Sequence, residues 1–196
     1  MANARKASFD LIPYRALARR WRWPAFLLIP AGIGFYWIVP YATGVNVGYR
    51  PLTLVISIAG LAIFAYTLLA RRARITCHSN RFVVHTPLYP VAFSYQRVDL
   101  IRSAQFSQLY SPTEVPAAKW RLYHDLWGRT VPTITLKGLP LPEWWLRLWL
   151  HPYLFHPNET GLVVPVEDWM GFIRQLESRR TEWRLARNRQ QNDRLR

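Results

Sequence analysis

Two apolar segments near the start of the chain decide its fold: residues 25–43, AFLLIPAGIGFYWIVPYAT, and residues 52–70, LTLVISIAGLAIFAYTLLA. A transmembrane helix needs about 20 mostly apolar residues to cross a hydrocarbon core of roughly 30 Å, and each segment comes close to that length. Between positions 24 and 70, Arg50 is the only charged residue. The two segments therefore predict transmembrane helices, which the short turn TGVNVGYRP joins into an antiparallel hairpin.

Small residues are the expected contact points between the two helices, because they let helix backbones approach closely in a membrane. These residues are Gly32, Gly34, Ser57 and Gly60. A cleaved signal peptide is the competing interpretation. The first apolar segment begins only at residue 25 and a second one follows at once, so we expect an anchor rather than a cleaved leader.

Arginines flank the hairpin on both outer sides, while the turn between the helices holds one. Positive charge marks the cytoplasmic side of a membrane protein. Both termini are therefore expected in the cytoplasm, in a multi-pass protein of the inner membrane. The flanking residues are Arg15, Arg19, Arg20 and Arg22 before the hairpin, and Arg71, Arg72 and Arg74 after it.

Composition limits the classes of function. The chain has 196 residues and a formal charge of +15, with ten Trp, ten Tyr and nine Phe. That much aromatic surface needs a core, a bilayer or a partner to cover it, which argues against a disordered chain. The charge favours an anionic partner such as acidic lipid, an acidic protein face or nucleic acid. Cys77 is the only cysteine, which excludes an intrachain disulfide and a cysteine-built metal site.

The arginines beside the hairpin are the candidate contacts with the membrane surface, because a basic side chain near an anionic leaflet contributes about 1 kcal/mol. The alternative is that these charges only fix the topology. Nucleic acid is disfavoured as a partner, since a basic stretch beside a membrane anchor fits lipid or protein better. The candidates are Arg19, Arg20, Arg22, Arg71, Arg72 and Arg74.

Beyond Arg74, short alternating stretches replace the long apolar runs and predict β-strands. We expect a β-hairpin in which Ile75 and Cys77 pair with Phe82 and Val84 across a Ser79–Asn80 turn. Further strands are predicted in VAFSYQRVDLIRSAQF, KWRLYHD, TVPTITLKGL and GLVV. In the third of these, Thr133, Thr135 and Lys137 should form a wet face, and Ile134 and Leu136 a dry one.

A closing amphipathic helix is predicted to begin near Pro165, because proline suits the first turn of a helix. Glu167 and Asp168 would then favour the positive end of the helix dipole. Past Arg180 the sequence is basic and polar, and we expect it to fray. The apolar stripe that should pack on the sheet consists of Val166, Trp169, Met170, Ile173 and Leu176.

This combination of elements resembles the bacterial pleckstrin-homology-like membrane proteins. The resemblance rests on ITCHSNRFVVHTP, FSYQRVDLIRSAQF and GLVVPVEDWMGFIRQLES. It implies a membrane α-helical hairpin plus an α+β domain, in which an antiparallel PH-like β-barrel or sandwich is closed by the C-terminal amphipathic helix. The stretch from Leu139 to Pro157 is longer and more aromatic than the family pattern.

This Trp-rich insert, residues 139–157, is too short to span a bilayer. It suits the bilayer surface, but it also suits an end cap that buries its aromatic rings in the core. A subunit interface is a third interpretation, since Trp and Arg are common anchors there. The candidate interface or membrane-interfacial residues are Trp144, Trp145, Arg147, Trp149, Tyr153 and Phe155.

No pattern in the sequence predicts catalysis, a metal site or a cofactor. The chain has no G-x-S-x-G, no G-x-x-x-x-G-K and no H-E-x-x-H motif. His78 and His85 lie on opposite arms of the predicted β-hairpin and lack a convincing metal spacing. His124 and Asp125 are adjacent in a predicted strand, so their side chains should point to opposite faces.

The sequence thus predicts a non-enzymatic, membrane-anchored scaffold or interaction module at the cytoplasmic face, in contact with the bilayer and with a protein partner or a second copy. One alternative is an accessory subunit of a larger membrane complex. Another is an effector whose β-domain senses a soluble ligand, which requires a polar pocket. The predicted segments are a basic N-terminal segment 1–23, the hairpin 24–70, a PH-like domain 71–182 that contains the insert, and a basic tail 183–196.

Overall fold

The computed structural model describes residues 8–43, 50–110 and 124–193, without the side chains of residues 39–43, 50 and 52. The chain forms two compact units. A helical unit spans Arg15–Arg71, and an α+β unit combines Met1–Tyr14 with Arg72–Arg196. The helical unit is thus inserted into the sequence of the α+β unit.

Two long helices account for the helical unit. Helix α1 spans Ile12–Thr43 and α2 spans Arg50–Ala70. Both end where the sequence predicts, but α1 begins at Ile12, well before the predicted residue 25. Its first three residues, up to Tyr14, belong to the α+β unit. The turn predicted between them lies mostly in residues 44–49, outside the described part of the chain.

Small residues bring α1 and α2 together in antiparallel fashion. A Cβ atom added at Gly32 would lie 2.2 Å from Ser57 Oγ, and one at Gly60 would lie 2.9 Å from Leu28 Cβ. The predicted contact points Gly32, Ser57 and Gly60 are therefore confirmed. Gly34 is not a contact point, because no described atom lies within 4 Å of the corresponding position.

Among the residues whose side chains are described, one helical stretch is long and apolar enough to cross a bilayer, Thr53–Ala70 in α2. Only 22% of it is buried. The described part of α1 contains no such stretch. Length and composition therefore support one span, and the multi-pass arrangement is a prediction that they do not support.

The first sheet of the α+β unit has four antiparallel strands in the order β1-β2-β3-β4. Ile75 pairs with Val84 and Cys77 with Phe82, which confirms the predicted hairpin and its register. A strand that the sequence analysis missed, β1, pairs with the outer edge of β2. The bounds are Ser8–Asp10 for β1, Arg74–Cys77 for β2, Arg81–His85 for β3 and Pro90–Ser94 for β4.

The second sheet has three antiparallel strands in the order β5-β6-β7. They are Val98–Gln105, Thr130–Leu136 and Gly161–Val163, all in segments predicted as strands. Ile134 and Leu136 are buried as expected, but Thr133 is buried as well. The predicted wet face of β6 is therefore wrong at Thr133.

The two sheets do not close into a barrel, which corrects the barrel form of the predicted fold; the α+β class itself is confirmed. A 3₁₀ turn, Tyr95–Arg97, leads from β4 into β5 at one corner. At the other corner a single β-bridge joins Leu11 to Val166, and the Ile12 N–H donates to the Pro165 carbonyl at 3.0 Å. Apart from such isolated contacts, no ladder joins the sheets within the described residues.

The closing helix, Trp169–Asp193, begins later than predicted. Asp168 precedes it, and the Gly171 N–H donates to Asp168 Oδ1 at 2.8 Å, which is the geometry of an N-cap. Its buried side chains are Phe172 and Leu176. The predicted stripe is therefore wrong at Met170, which is exposed, and it omitted Phe172.

This helix also continues past Arg180 to Asp193 instead of fraying. The Arg180 guanidinium donates to the carbonyls of Val98 and Asp99 at 2.6 and 2.8 Å, which ties the middle of the helix to the start of β5. Burial lowers the pKa of Arg180, with a further contribution from Arg184.

Short helices occupy the connections, and we number them α3 (Phe106–Leu109), α4 (His124–Trp127) and α5 (Glu143–Trp149), so that the closing helix is α6. The strand predicted in KWRLYHD lies largely in residues 119–123, outside the described part. Its last two residues, His124 and Asp125, are helical. The strand prediction is wrong there, and so is the argument that their side chains point to opposite faces of a sheet.

Candidate interaction surface

The Trp-rich insert folds around the short helix α5 and has two different faces. Leu146 and Leu150 are buried, and the Leu150 N–H donates to the Leu146 carbonyl at 2.8 Å where the helix ends. Trp144 and Leu148 are 65% and 66% exposed. Residues four apart lie on one face of a helix, so the buried pair and the exposed pair define opposite sides of α5.

The candidate residues of the insert accordingly divide between core and surface. Tyr153 and Phe155 are buried, and the ring of Tyr153 packs against Phe106 at 5.6 Å. Their burial fits the interpretation of the insert as an end cap that buries its aromatic rings in the core. Trp144 and Trp145 are exposed, and Trp149 is half-buried between the two groups. One part of the insert thus lies in the core, and the other part is exposed.

The exposed side of α5 continues onto the turn between β3 and β4. The ring of Tyr89 lies 5.7 Å from Trp149, Trp149 lies 5.8 Å from Trp145, and Trp145 lies 5.5 Å from Trp144. Sequence reasoning missed the contribution of this turn, although two large apolar residues between prolines, PLYP, were a usable signal. We call the surface made by Leu88, Tyr89, Trp144, Trp145, Leu148 and Trp149 the aromatic patch.

Tyr14, in the first turn of α1, fixes the C-terminal end of α5. Its buried hydroxyl donates to the Trp149 carbonyl at 3.2 Å and accepts from the His151 N–H at 2.9 Å. Its ring makes an edge contact with the His151 ring at 5.9 Å. Because Trp149 belongs to the aromatic patch, the start of α1 positions this surface directly.

Charge on α5 is nearly balanced. Arg147 donates to Glu143 Oε1 at 2.6 and 2.9 Å, and both side chains are more than half exposed. An exposed pair of this spacing contributes only about 0.3–0.5 kcal/mol. The Arg147 guanidinium also lies over the Phe155 ring at 5.7 Å. The aromatic patch is therefore an apolar surface beside a compensated ion pair, not a basic one.

The arginines predicted to contact the membrane surface are divided between the helical unit and the α+β unit. In the helical unit, Arg19, Arg20 and Arg71 are exposed, and Arg22 lies over the Trp23 ring at 5.6 Å. The antiparallel contacts of α1 and α2 put these four at the same end of the helical pair. In the α+β unit, the remaining two candidates are also exposed: Arg72 and Arg74.

The two histidines of the β2–β3 hairpin converge on one hydroxyl. His78 and His85 lie on opposite arms of the hairpin, as predicted, and their Nε2 atoms lie 3.2 and 3.0 Å from Thr76 Oγ1. Burial, followed by the charges of Arg74 and His78, lowers the pKa of His85. Within the described residues, no group of three or more His, Cys, Asp or Glu side chains is placed to hold a metal ion.

Cys77 lies on the inner face of β2 and is buried. Burial raises the pKa of its thiol to about 12, against smaller opposing effects of a hydrogen bond with Tyr95 and the charge of Arg179. The thiolate is the reactive form of cysteine. Cys77 is therefore a structural residue and a poor nucleophile in the folded protein.

A groove of about 570 Å³ lies between the β2–β3 turn and the outer part of α6. The turn contributes Ser79 and Asn80, and the helix contributes Glu182, Trp183 and Arg187. Arg187 lies over the Trp183 ring at 5.4 Å. This groove exists because α6 continues past Arg180. It could not be predicted from a sequence that indicates fraying there.

Comparison of the chain with protein-family models, with curated proteins and with solved structures gives no match.

Proposed function

We propose that this protein is a non-enzymatic scaffold of the cytoplasmic membrane, anchored by the α1–α2 hairpin, whose α+β unit is an interaction module of the PH-like type. The observation that carries the proposal is the surface of the helical pair. Its two helices contact each other through small residues and turn large apolar side chains outward. A soluble protein rarely exposes a continuous apolar surface of that extent. On α2 the exposed side chains are Leu54, Val55, Ile56, Ile58, Leu61, Leu68 and Leu69.

Helix α1 supports the anchor in the same way, although it does not meet the span criterion over its described side chains. Exposed apolar residues recur along it after Pro24. The close approach at Gly32 and Gly60 is typical of helices that associate in lipid, where packing replaces the hydrophobic effect as the driving force. The outward residues are Phe26, Leu27, Ile33, Phe35, Trp37 and Ile38.

The order of elements in the α+β unit supports the PH-like assignment. Four antiparallel strands, a corner at Tyr95–Arg97, three antiparallel strands and one C-terminal helix follow one another as the resemblance implies. The first strand comes from before the hairpin instead of after it. We propose that this unit is a PH-like sandwich whose first strand is separated from the others in sequence by the membrane anchor.

Orientation rests on the arginines. Arg19, Arg20 and Arg71 lie at the end of the helical pair that adjoins the α+β unit in sequence, and basic residues favour the cytoplasmic side. We therefore propose that both termini are cytoplasmic. The exposed arginines would also attract anionic lipid, at about 1 kcal/mol each near the surface.

Labelling of single cysteines tests the anchor and its orientation. Membranes from cells expressing the full chain should retain the protein after carbonate extraction. Ser79→Cys should react with a membrane-impermeant maleimide only in inverted vesicles, and Arg50→Cys only in intact cells. The unchanged chain is the matched control, because Cys77 is buried. Release by carbonate, or reaction of Ser79→Cys in intact cells, would contradict the proposal.

A second candidate function, the ligand-sensing effector, is favoured by the polar groove between the β2–β3 turn and α6. Its lining offers donors from Asn80 and Arg187 and one carboxylate from Glu182, which suits a small polar molecule with an anionic group. This function requires a change of oligomeric state when the ligand binds. Screening anionic metabolites against the detergent-solubilised protein and its Arg187→Ala variant, with light scattering as the readout, distinguishes it from a scaffold.

A further inference from the structure

Nothing in the α+β unit covers the aromatic patch within the described residues. Trp144 and Leu148 are about two-thirds exposed, and Leu88 and Tyr89 are 61% and 44% exposed. The patch comes from two separate elements, the β3–β4 turn and α5, yet its four aromatic rings form one continuous row: Tyr89, Trp149, Trp145 and Trp144. Contiguous exposed apolar surface of this kind marks a binding site for protein or membrane.

The composition of the patch matches the bilayer interface. Trp and Tyr concentrate at the level of the lipid headgroups, where the ring is partly buried and its polar atom remains wet. Leu88 and Leu148 would supply the apolar contact below that level. The two charged residues of α5, Glu143 and Arg147, form an ion pair, which lowers the cost of bringing this face to lipid.

Short connections hold the patch close to the proposed anchor whatever the arrangement of the two units. Three residues lie between the end of α2 at Ala70 and the start of β2 at Arg74, and a chain extends at most about 3.6 Å per residue. On the other side, Tyr14 is bonded to the patch residue Trp149 and lies only ten residues before Pro24. A short tether gives a high effective concentration of the surface at the bilayer.

We infer that the aromatic patch inserts into the headgroup region of the bilayer that holds the hairpin, as a second, peripheral membrane contact of the α+β unit. The inference rests on the proposed membrane anchor and deepens it. The covalent tether and the Trp-Tyr-Leu composition favour lipid over a second copy of the chain or another protein. The patch would fix the α+β unit in one orientation against the membrane.

Spin labels on single introduced cysteines test this inference in the full chain reconstituted into phosphatidylcholine vesicles. Labels at Leu88→Cys and Leu148→Cys report on the two elements of the patch. Ser103→Cys, an exposed and nearly isosteric replacement in β5, is the control site. Native Cys77 stays in place, and the unchanged chain carried through the labelling reaction measures any background from it.

The rates at which each spin label collides with lipid-soluble oxygen and with a water-soluble nickel chelate show whether the label lies in lipid or in water. We expect both patch labels to be severalfold less accessible to nickel and more accessible to oxygen than the label at Ser103. Patch labels as open to nickel as the control, on protein that floats with the vesicles, would overturn the inference and leave the anchor intact. Patch labels shielded from both reagents would place the patch against protein and would also overturn it. Protein that fails to float would overturn the inference together with the anchor.

Discussion

Removing the hydroxyl of Tyr14 should loosen the end of α5 without changing the shape of the core. In Tyr14→Phe the ring and its edge contact with His151 remain. The donor to the Trp149 carbonyl and the acceptor for the His151 N–H are both lost. A buried N–H left without its partner costs about 1–3 kcal/mol, and a typical hydrogen bond contributes about 1 kcal/mol net. We expect a total loss of about 2 kcal/mol.

Hydrogen exchange of the backbone amides measures this loss locally. Each 1.4 kcal/mol changes the equilibrium constant for local opening by a factor of ten. A loss of about 2 kcal/mol should therefore speed exchange at the His151 amide by about 30-fold. Mass spectrometry of a peptide covering residues 150–155, from protein in detergent micelles, gives the readout. Amides in β6, far from Tyr14 in sequence and in another sheet from β1, should be affected much less.

Tyr89→Phe is the matched control, because it removes the same group from a ring that is exposed on the aromatic patch. It should leave exchange at His151 unchanged. If Tyr14→Phe exchanges as slowly as the control at this amide, the hydroxyl does not fix α5. The account of how the start of α1 positions the aromatic patch would then be wrong.

Three further predictions concern packing and titration. Leu146→Ala should lower the free energy of unfolding, measured by urea titration, by about 2–5 kcal/mol. Leu148→Ala, on the other side of α5, should change it by less than about 0.5 kcal/mol. Equal losses would contradict the division of α5 into a buried and an exposed face. Gly60→Leu should force α1 and α2 apart and lower the thermal stability of the protein in nanodiscs, while Gly34→Leu should not. A larger loss of thermal stability in Gly34→Leu than in Gly60→Leu would refute the close approach of the helices at Gly60. Burial raises the pKa of Cys77 to about 12, so the stability contributed by its neutral thiol is complete below the ordinary thiol pKa and is lost as the pH rises from about 9 towards 12. Cys77→Ala should therefore flatten the alkaline limb of a plot of unfolding free energy against pH. An unchanged alkaline limb would contradict the raised pKa of Cys77.

Elements that depend on nearby residues were predictable from the sequence. The β2–β3 hairpin is the clearest case, because its alternating pattern and its Ser79–Asn80 turn lie within one short stretch and leave one register that buries Ile75 and Val84. The ends of both long helices, Thr43 and Ala70, were also predictable from nearby residues, since turn residues or charged residues follow each of them.

Elements that depend on distant partners were not predictable. Strand β1 has three residues, and its partner β2 lies beyond both long helices. The start of α6 shows the same limit: Pro165 and Val166 carry acceptable helix-start signals, but the backbone there bonds to Leu11 and Ile12 instead. Tertiary pairing outweighed local propensity, and Asp168 became the cap.

The candidate surface was predictable in content but not in orientation. The crowding of tryptophan in residues 139–157 identified the segment, yet large apolar residues occur all round α5, so periodicity could not tell which face meets the core. The burial of Leu146 decides this, and it is known only from the tertiary structure. The contribution of Leu88 and Tyr89 likewise depends on how the β3–β4 turn folds next to α5.

The pairing of β1 with β2 sets the order in which this protein can assemble. Ser8–Asp10 leaves the ribosome first, but its partner Arg74–Cys77 is made only after the whole of α1 and α2. Until then the first strand has no edge to join, and β2 later offers an open edge that can pair with any other chain. The four-stranded sheet is therefore completed only after both long helices have been synthesised.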